Sequence, residues 1–198
     1  MNKPYAESCE QNRAPILEVL RSELVGCHNL LEIGSGTGQH AVYFGREFPQ
    51  LSWQTSDLTI NHPGIQAWLD DAALANVKPP IELDVGLPDH WPKTHYDAIF
   101  SANAVHIMSW PNVIALFAGL GQIMAPKAKL LLYGPFNYGG NFTSESNARF
   151  DQWLKNRDPR SGIRHFEDLD LLARPQGLTL HHDYPMPANN RTLVWVRG

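Results

Sequence analysis

The chain is poor in cysteine. Its two, Cys9 and Cys27, make no metal-ligand or redox spacing, so they read as free thiols of a reducing compartment. It also lacks any apolar run near the roughly 20 residues that a membrane helix needs, and no charged-then-apolar leader precedes the first patterned segment. The expectation is a cytoplasmic protein with no membrane partner. Basic patches are missing too. Sixteen Lys and Arg face twenty Asp and Glu, for a net charge of −4. The densest basic cluster, Lys155-Asn156-Arg157-Asp158-Pro159-Arg160, is interrupted by an acid. A nucleic-acid partner is therefore disfavoured. There are no repeats, no low-complexity tracts and no linker, and nothing speaks to oligomeric state.

What is there is an ordinary globular composition, 43% hydrophobic and 18% charged over 198 residues, enough for one domain and one continuous core. We read residues 1–198 as that domain, with an N-terminal arm and helix over 1–25 and a polar, lid-like insert over 137–165. Helical spacing of Ile16, Leu17, Leu20 and Leu24 predicts a helix beginning near Asn12, with Pro15 in its first turn and Gly26 past its end. Strands are predicted over 29–33, 51–57, 81–84, 96–101 and 130–134. Between them lie helices over 37–48, after Asn61, and after Ser109, the last with Val113, Ile114, Phe117, Leu120 and Met124 inside. Helices over 145–156 and 166–173 follow the insert's loop. Segments 178–184 and 192–196 close the chain as two strands whose short joint allows an antiparallel pair. Strands alternating with helices imply a parallel sheet covered on both faces. The fold class is thus α/β, a doubly wound Rossmann-like sheet finished by an antiparallel C-terminal hairpin.

The chain is organised around Leu30-Leu31-Glu32-Ile33-Gly34-Ser35-Gly36-Thr37-Gly38-Gln39-His40. It reads as a buried strand, a glycine turn and a helix start, the position where open α/β sheets bind nucleotides. A dinucleotide fingerprint wants glycine at its first, third and sixth positions; here the sixth is Gln39 and the third glycine is Gly38. Glu32 would repel a pyrophosphate. It suits the sulfonium and ammonium of S-adenosyl-L-methionine. Asp57 lies 19 residues beyond Gly38, where a carboxylate can accept both ribose hydroxyls. Asp84 at the end of the third strand can accept from the adenine amino group, with Leu58 and Val85 packing on the ring. The candidate cofactor residues are Glu32, Gly34, Ser35, Gly36, Gly38, Asp57, Leu58, Asp84, Val85 and Asn103. Each acid alone could equally be a loop-entry or capping carboxylate.

Here the chain resembles the class I methyltransferases and, more narrowly, the methyltransferase-like protein 26 family and its bacterial relatives. The likeness is carried by Glu10-Gln11-Asn12-Arg13-Ala14-Pro15-Ile16-Leu17, the glycine turn, Trp53-Gln54-Thr55-Ser56-Asp57, Asp97-Ala98-Ile99-Phe100, Tyr133-Gly134-Pro135-Phe136 and Met186-Pro187-Ala188-Asn189-Asn190. The resemblance implies a seven-stranded sheet and adenosylmethionine at Glu32, Gly34, Gly36, Asp57 and Asp84. It implies no particular substrate. One departure is Ala125-Pro126-Lys127-Ala128, where relatives carry a Pro-Gly-Gly turn.

For chemistry on an acceptor, the ends of the fourth and fifth strands offer His106, Tyr133 and Asn137 as candidate catalytic residues. His106 is the first choice for a base or an orienting group; the same residue could instead pack between strand and helix. Asn12 and Arg13 from the N-terminal arm, and Tyr138, Asn147 and Asp151 on an insert longer than the usual 2–6-residue connection, are candidate substrate residues, with Arg157 of that insert a further possibility. His181 and His182 are expected on opposite faces of a strand, so no metal site is expected. The function predicted is a methyltransferase acting on a small polar molecule. The alternatives are a non-catalytic cofactor-binding or interaction module of the same fold and a nicotinamide-dependent oxidoreductase.

Overall fold

The computed structural model describes residues 3–198; residues 1 and 2 of the expected arm lie outside them. One sheet dominates. Its strands are β1 (Asn29–Ile33), β2 (Ser52–Asp57), β3 (Val77–Glu82), β4 (Tyr96–Ala102), β5 (Met124–Gly134), β8 (Leu178–Met186) and β9 (Asn190–Arg197). They lie in the order β3-β2-β1-β4-β5-β9-β8, seven strands in all. All pairings are parallel except those of β9, which runs antiparallel to both β5 and β8. The predicted seven-strand, mostly parallel sheet with its C-terminal hairpin is what the structure contains. A second, two-stranded sheet that the sequence pattern did not announce joins β6 (Phe136–Asn137) to β7 (Arg164–His165).

Helices cover both faces, and alternation along each strand sorts the side chains. Leu30, Trp53, Ala98, Phe100, Leu131 and Val194 pack under α1 (Glu7–Glu23), α2 (Gln39–Glu47) and α3 (His62–Ala72). Leu31, Ile99, Leu130, Leu132, Leu193 and Trp195 face the other way, toward α4 (Trp110–Ile123) and α6 (Phe166–Ala173). Trp53 and Trp195 are both 0% exposed, one in each layer, and each full aromatic burial contributes a few kcal/mol (about 1.5–3). The helix of the insert, α5 (Glu145–Arg157), stands apart from these layers over the carboxyl edge of β4 and β5.

Several expected boundaries move. α1 begins at Glu7, so Pro15 sits in its interior rather than its first turn. The third strand starts at Val77 and contains Pro79 and Pro80. It pairs only with β2, and an edge strand tolerates residues that cannot donate. Asp84 consequently lies past the end of β3 instead of closing it. The Ala125-Pro126-Lys127-Ala128 departure becomes the irregular start of β5, with Lys127 in the left-handed region at φ 66°. Val113, Phe117, Leu120 and Met124 are buried as expected, whereas Ile114 is 44% exposed and Leu116 takes its place on the inner face of α4. Ser109 caps α4 as predicted, its Oγ accepting from Asn112 N.

Candidate cofactor ledge and acceptor cavity

The glycine turn connects β1 to α2 and is held by its own backbone donors. Gly34 N and Ser35 N both donate to Ser56 O (3.1 and 2.9 Å), and Gly38 N donates to Ser35 O at 2.9 Å. Gly36 N donates to Asp57 Oδ2 at 2.7 Å, and Gln39 N to Thr37 Oγ1 at 3.3 Å. Two glycines are required by space. A Cβ on Gly38, at φ 88°, would lie 3.0 Å from Ile65 Cα, and one on Gly34 would lie 3.2 Å from the Ala104 methyl. Beneath the turn, Glu32 is 2% exposed. Its Oε2 accepts from Ser35 Oγ (2.9 Å) and Trp53 Nε1 (3.1 Å). Burial outweighs these bonds and, with nearby Asp57, pushes the carboxyl up to about 7. No salt bridge to Glu32 is found among the described residues. A desolvated acid of this kind is stabilised by an arriving cation.

Asp57 ends β2 next to the turn. Oδ1 accepts from Leu58 N and Asn61 Nδ2, both at 2.7 Å. Asn61 therefore starts α3 without capping it, since its side chain serves Asp57. Leu58 is 47% exposed beside it, whereas Val85 is 6% exposed and belongs to the core; only Leu58 presents a free apolar face. Leu83 N donates to Asp57 O at 3.0 Å, drawing the stretch after β3 alongside, and Asp84 Oδ1 accepts from Gly86 N at 2.9 Å. Glu32 and Asp57 thus stand near each other at the carboxyl ends of β1 and β2, with Asp84 two residues past the end of β3. Ser35 is turned inward to brace the turn rather than outward to a ligand.

Asn103 forms the border between this ledge and a cavity of about 870 Å³. It sits at φ 56°, and its N–H donates to Tyr133 O at 2.9 Å. A Cβ on Gly134 would lie 3.5 Å from His106 Nδ1 and 3.8 Å from Asn103 Oδ1, so the two side chains converge on the end of β5. His106 is 6% exposed and lines the cavity. Burial and the neighbouring Arg164 guanidinium lower its pKa to about 4, so the imidazole is neutral at ordinary pH. Its ring meets Phe150 edge-on at 5.4 Å. The other walls come from Gln11, Asn12 and Pro15 of α1, from Tyr133 and Pro135, from Asn147, Phe150, Trp153 and Arg157 of α5, and from 187–190 at the hairpin tip. The hairpin motif is therefore on the cavity rim. Asn147 Nδ2 donates to Asn189 O at 3.1 Å, tying α5 to that tip.

Of the other predicted residues, Asn12 reaches the cavity while its Oδ1 lies 2.7 Å from His40 Nε2. Tyr133 lines it and is 5% exposed. Four do not. Asn137 is buried in β6 and is not among the lining residues; its Oδ1 has no partner. Arg13 stacks over Tyr43 at 4.6 Å and pairs with Glu10, because the earlier helix start turns it away. Tyr138 donates to Asp183 Oδ2 at 2.8 Å on the β8 side. Asp151 is 5% exposed, accepts from Ile163 N at 2.8 Å and pairs with Lys155 at 2.6 Å, bracing the insert. Phe150, Trp153 and Gln11 went unpredicted; their only signal was aromatic residues on an otherwise polar helix. The N-terminal arm closes over the turn: Ala6 N donates to Gln39 Oε1 at 2.6 Å, and Trp68 Nε1 to Pro4 O at 2.7 Å.

The expected separation of His181 and His182 does not hold. The ladder shifts register between Leu180 and His182, and the two rings lie 4.0 Å apart. With Glu23 they bring ligand atoms within 4.8 Å of one another. Glu23 already accepts from Lys129 (2.8 Å), His182 (2.8 Å) and Tyr184 (2.6 Å). Burial pushes its carboxyl up, and these bonds overcome that to hold it at about 2. The cluster is an ion-pair network pinning α1 to β5 and β8.

A family model described as "Protein of unknown function (DUF938)" matches residues 3–197. Among solved structures, the chain is similar to an O-methyltransferase family protein from Burkholderia thailandensis, at 15% identity and TM-score 0.82 over 93% of this chain and 56% of that one. It is similar to the S-adenosylmethionine-dependent methyltransferase SibL in its apo form, at 18% identity and TM-score 0.80 over 96% and 55%. CalO1, a methyltransferase in calicheamicin biosynthesis seen in its SAH-bound form, matches at 17% identity and TM-score 0.74 over 94% and 54%. The chain spans about half the length of these structures. The fold is the Rossmann-like fold of these methyltransferases.

Proposed function

The chain belongs to the family described as Protein of unknown function (DUF938), and from the fold and the ledge beside the cavity we propose that it transfers a methyl group from S-adenosylmethionine to a small molecule. The observation that carries this is Glu32, a buried carboxyl raised to about 7, beneath a turn most of whose backbone donors are already taken. A pyrophosphate needs several free backbone N–H groups at that place; Gly34, Ser35, Gly36, Gly38 and Gln39 have none to give, which leaves Thr37 alone among the turn residues. A cationic ligand needs an acid instead, and Glu32 is one. The same observation counts against the nicotinamide alternative. The narrower likeness to the methyltransferase-like protein 26 family rests on the motifs quoted above and is part of this proposal.

When bound, adenosylmethionine supplies a methyl carbon activated by the sulfonium, and transfer is an in-line displacement that depends chiefly on alignment. Glu32 holds the cationic end. Asp57 would take one ribose hydroxyl on the lone pair left at Oδ2, rather than the two expected from sequence, while Asp84 would take the adenine amino group and Leu58 would cover a face of the ring. Asn103 sets the passage between ledge and cavity. His106, neutral and without a side-chain partner in the protein, accepts a hydrogen bond from the acceptor and orients its lone pair. Full proton transfer to His106 is opposed by the burial that keeps it neutral, so its part is orientation more than base catalysis. The N-terminal arm keeps water from the turn.

Calorimetric titration of the purified protein with adenosylmethionine and adenosylhomocysteine tests the proposal. Saturable binding that weakens in the Glu32→Gln variant is expected. Absence of binding at millimolar ligand overturns it.

A further inference from the structure

The cavity has two unlike walls. On one stand Phe150 and Trp153, three residues apart on α5 and so on one helical face. Their rings are 5.6 Å apart and 17° from parallel. Neither belongs to the two core clusters. Trp153 is 49% exposed, and so is 59% of Ile107 at the same mouth. On the same helix, Leu154 is 5% exposed and does the anchoring. An otherwise polar helix thus holds two large aromatic rings in the cavity wall, where folding does not require them and where leaving them exposed to water is unfavourable. His106 adjoins this aromatic wall, its ring edge-on to Phe150 at 5.4 Å, and beyond it the lining turns to amides, with Asn12 and Asn103 prominent. Charge is scarce: Asp158 is paired with Arg160 at 2.9 Å, and Arg157 lies over Trp153 at 4.8 Å. With Arg157 the sole unpaired charge there, a cationic amine is disfavoured.

We propose that the methyl acceptor is a planar aromatic or heteroaromatic compound with a proton-bearing oxygen or nitrogen, its ring against Phe150 and Trp153 and that heteroatom toward His106. This rests on the methyl-transfer reading and narrows it, replacing the small polar acceptor expected from sequence. A flat ring fits because π faces stack on π faces regardless of substituent detail. The hydroxyl or amine at its edge then meets the one neutral imidazole in the cavity. Transfer forms the bond from that heteroatom to the methyl carbon and breaks the carbon–sulfonium bond. The electron pair goes to sulfur, giving adenosylhomocysteine, and the heteroatom's proton leaves to solvent.

The test is binding, read by calorimetry, with three probes. Adenosylhomocysteine is titrated first. With it saturating, 2-naphthol is titrated, then decahydro-2-naphthol, which keeps the size and the hydroxyl and removes the aromaticity. The expected result is saturable naphthol binding at least fivefold tighter than its saturated counterpart, with the preference lost in Trp153→Leu and Phe150→Leu while adenosylhomocysteine binding stays as in the parent. Equal affinity for the two alcohols, or binding of neither, beside intact adenosylhomocysteine binding overturns the aromatic acceptor and leaves the methyl-transfer reading standing. Failure of adenosylhomocysteine itself to bind overturns that reading and this inference with it.

Discussion

The two halves of the sheet's carboxyl edge are built on different plans. The ends of β1, β2 and β3 carry a ledge in which nearly every polar group is already answered by a neighbour close in sequence or on the adjacent strand: turn amides by Ser56 and Asp57, Ser35 by Glu32. The ends of β4 and β5 carry an open cavity whose walls come from α1, α5 and the hairpin tip, segments that meet only in the folded chain. The first half is rigid and leaves one group, Glu32, in want of a charge. The second leaves surface uncovered. On the proposed function, the contrast makes recognition on the ledge a matter of charge and fixed backbone, and in the cavity a matter of shape and ring surface.

If the ledge is as rigid as its hydrogen bonds imply, its glycines are not equivalent. Gly38→Ala puts a Cβ against the Ile65 backbone at 3.0 Å in a left-handed conformation, and thermal unfolding should lose about 3 kcal/mol of stability along with cofactor binding. Gly36→Ala meets nothing within 4 Å and should cost about 1 kcal/mol. Equal losses would mean the turn yields. Next in size is Glu32→Gln, which should weaken adenosylhomocysteine by about a hundredfold, near 2.7 kcal/mol. Its stability effect has a definite sign. A folded pKa raised from 4.5 to about 7 favours the fold at low pH, and that advantage is lost as pH rises from 4.5 through 7. The parent without ligand should lose roughly 3 kcal/mol from this group across that window. The Gln variant should not, and should be the more stable of the two at pH 8.

On the cavity side, His106→Phe should lower kcat with an acceptor about tenfold while leaving adenosylhomocysteine affinity as it was, the signature of lost orientation. Asn147→Ala removes the bond to the hairpin tip, worth about 1 kcal/mol. It should raise KM for the acceptor several-fold and spare the ledge. The smallest effect belongs to neither half: Tyr138→Phe gives up the bond to Asp183, with about 1 kcal/mol less stability and no change in turnover. A change in turnover there would enlarge the cavity's boundary beyond the walls described.

The ledge was legible in sequence because its determinants are local. Three glycines, a preceding acid and two further strand-end carboxylates fall where alternation of strands and helices puts them together. The cavity was less legible because its residues are far apart in the chain and their directions depend on detail. Asn137 and Tyr138 follow β5 closely, yet one is buried in a two-residue strand and the other bends toward Asp183. Asp151 was expected to face the substrate, but it is turned inward to hold Ile163 N. Arg13 shifted because α1 starts several residues earlier than its proline suggested. At His181 a bulge, invisible in composition, reversed the usual alternation.

One consequence concerns the order in which the chain can become itself. β9 lies between β5 and β8, so β8, although made earlier, has no place in the sheet until β9 has been synthesised and slides between them. Leu193, Val194 and Trp195, all 0% exposed, then close both helical layers in one step. The hairpin tip on the cavity rim and the anchor of α5 through Asn189 depend on the same event. A chain that stops short of β9 therefore contains the whole glycine turn yet lacks the Asn190 side of the hairpin tip that walls the cavity.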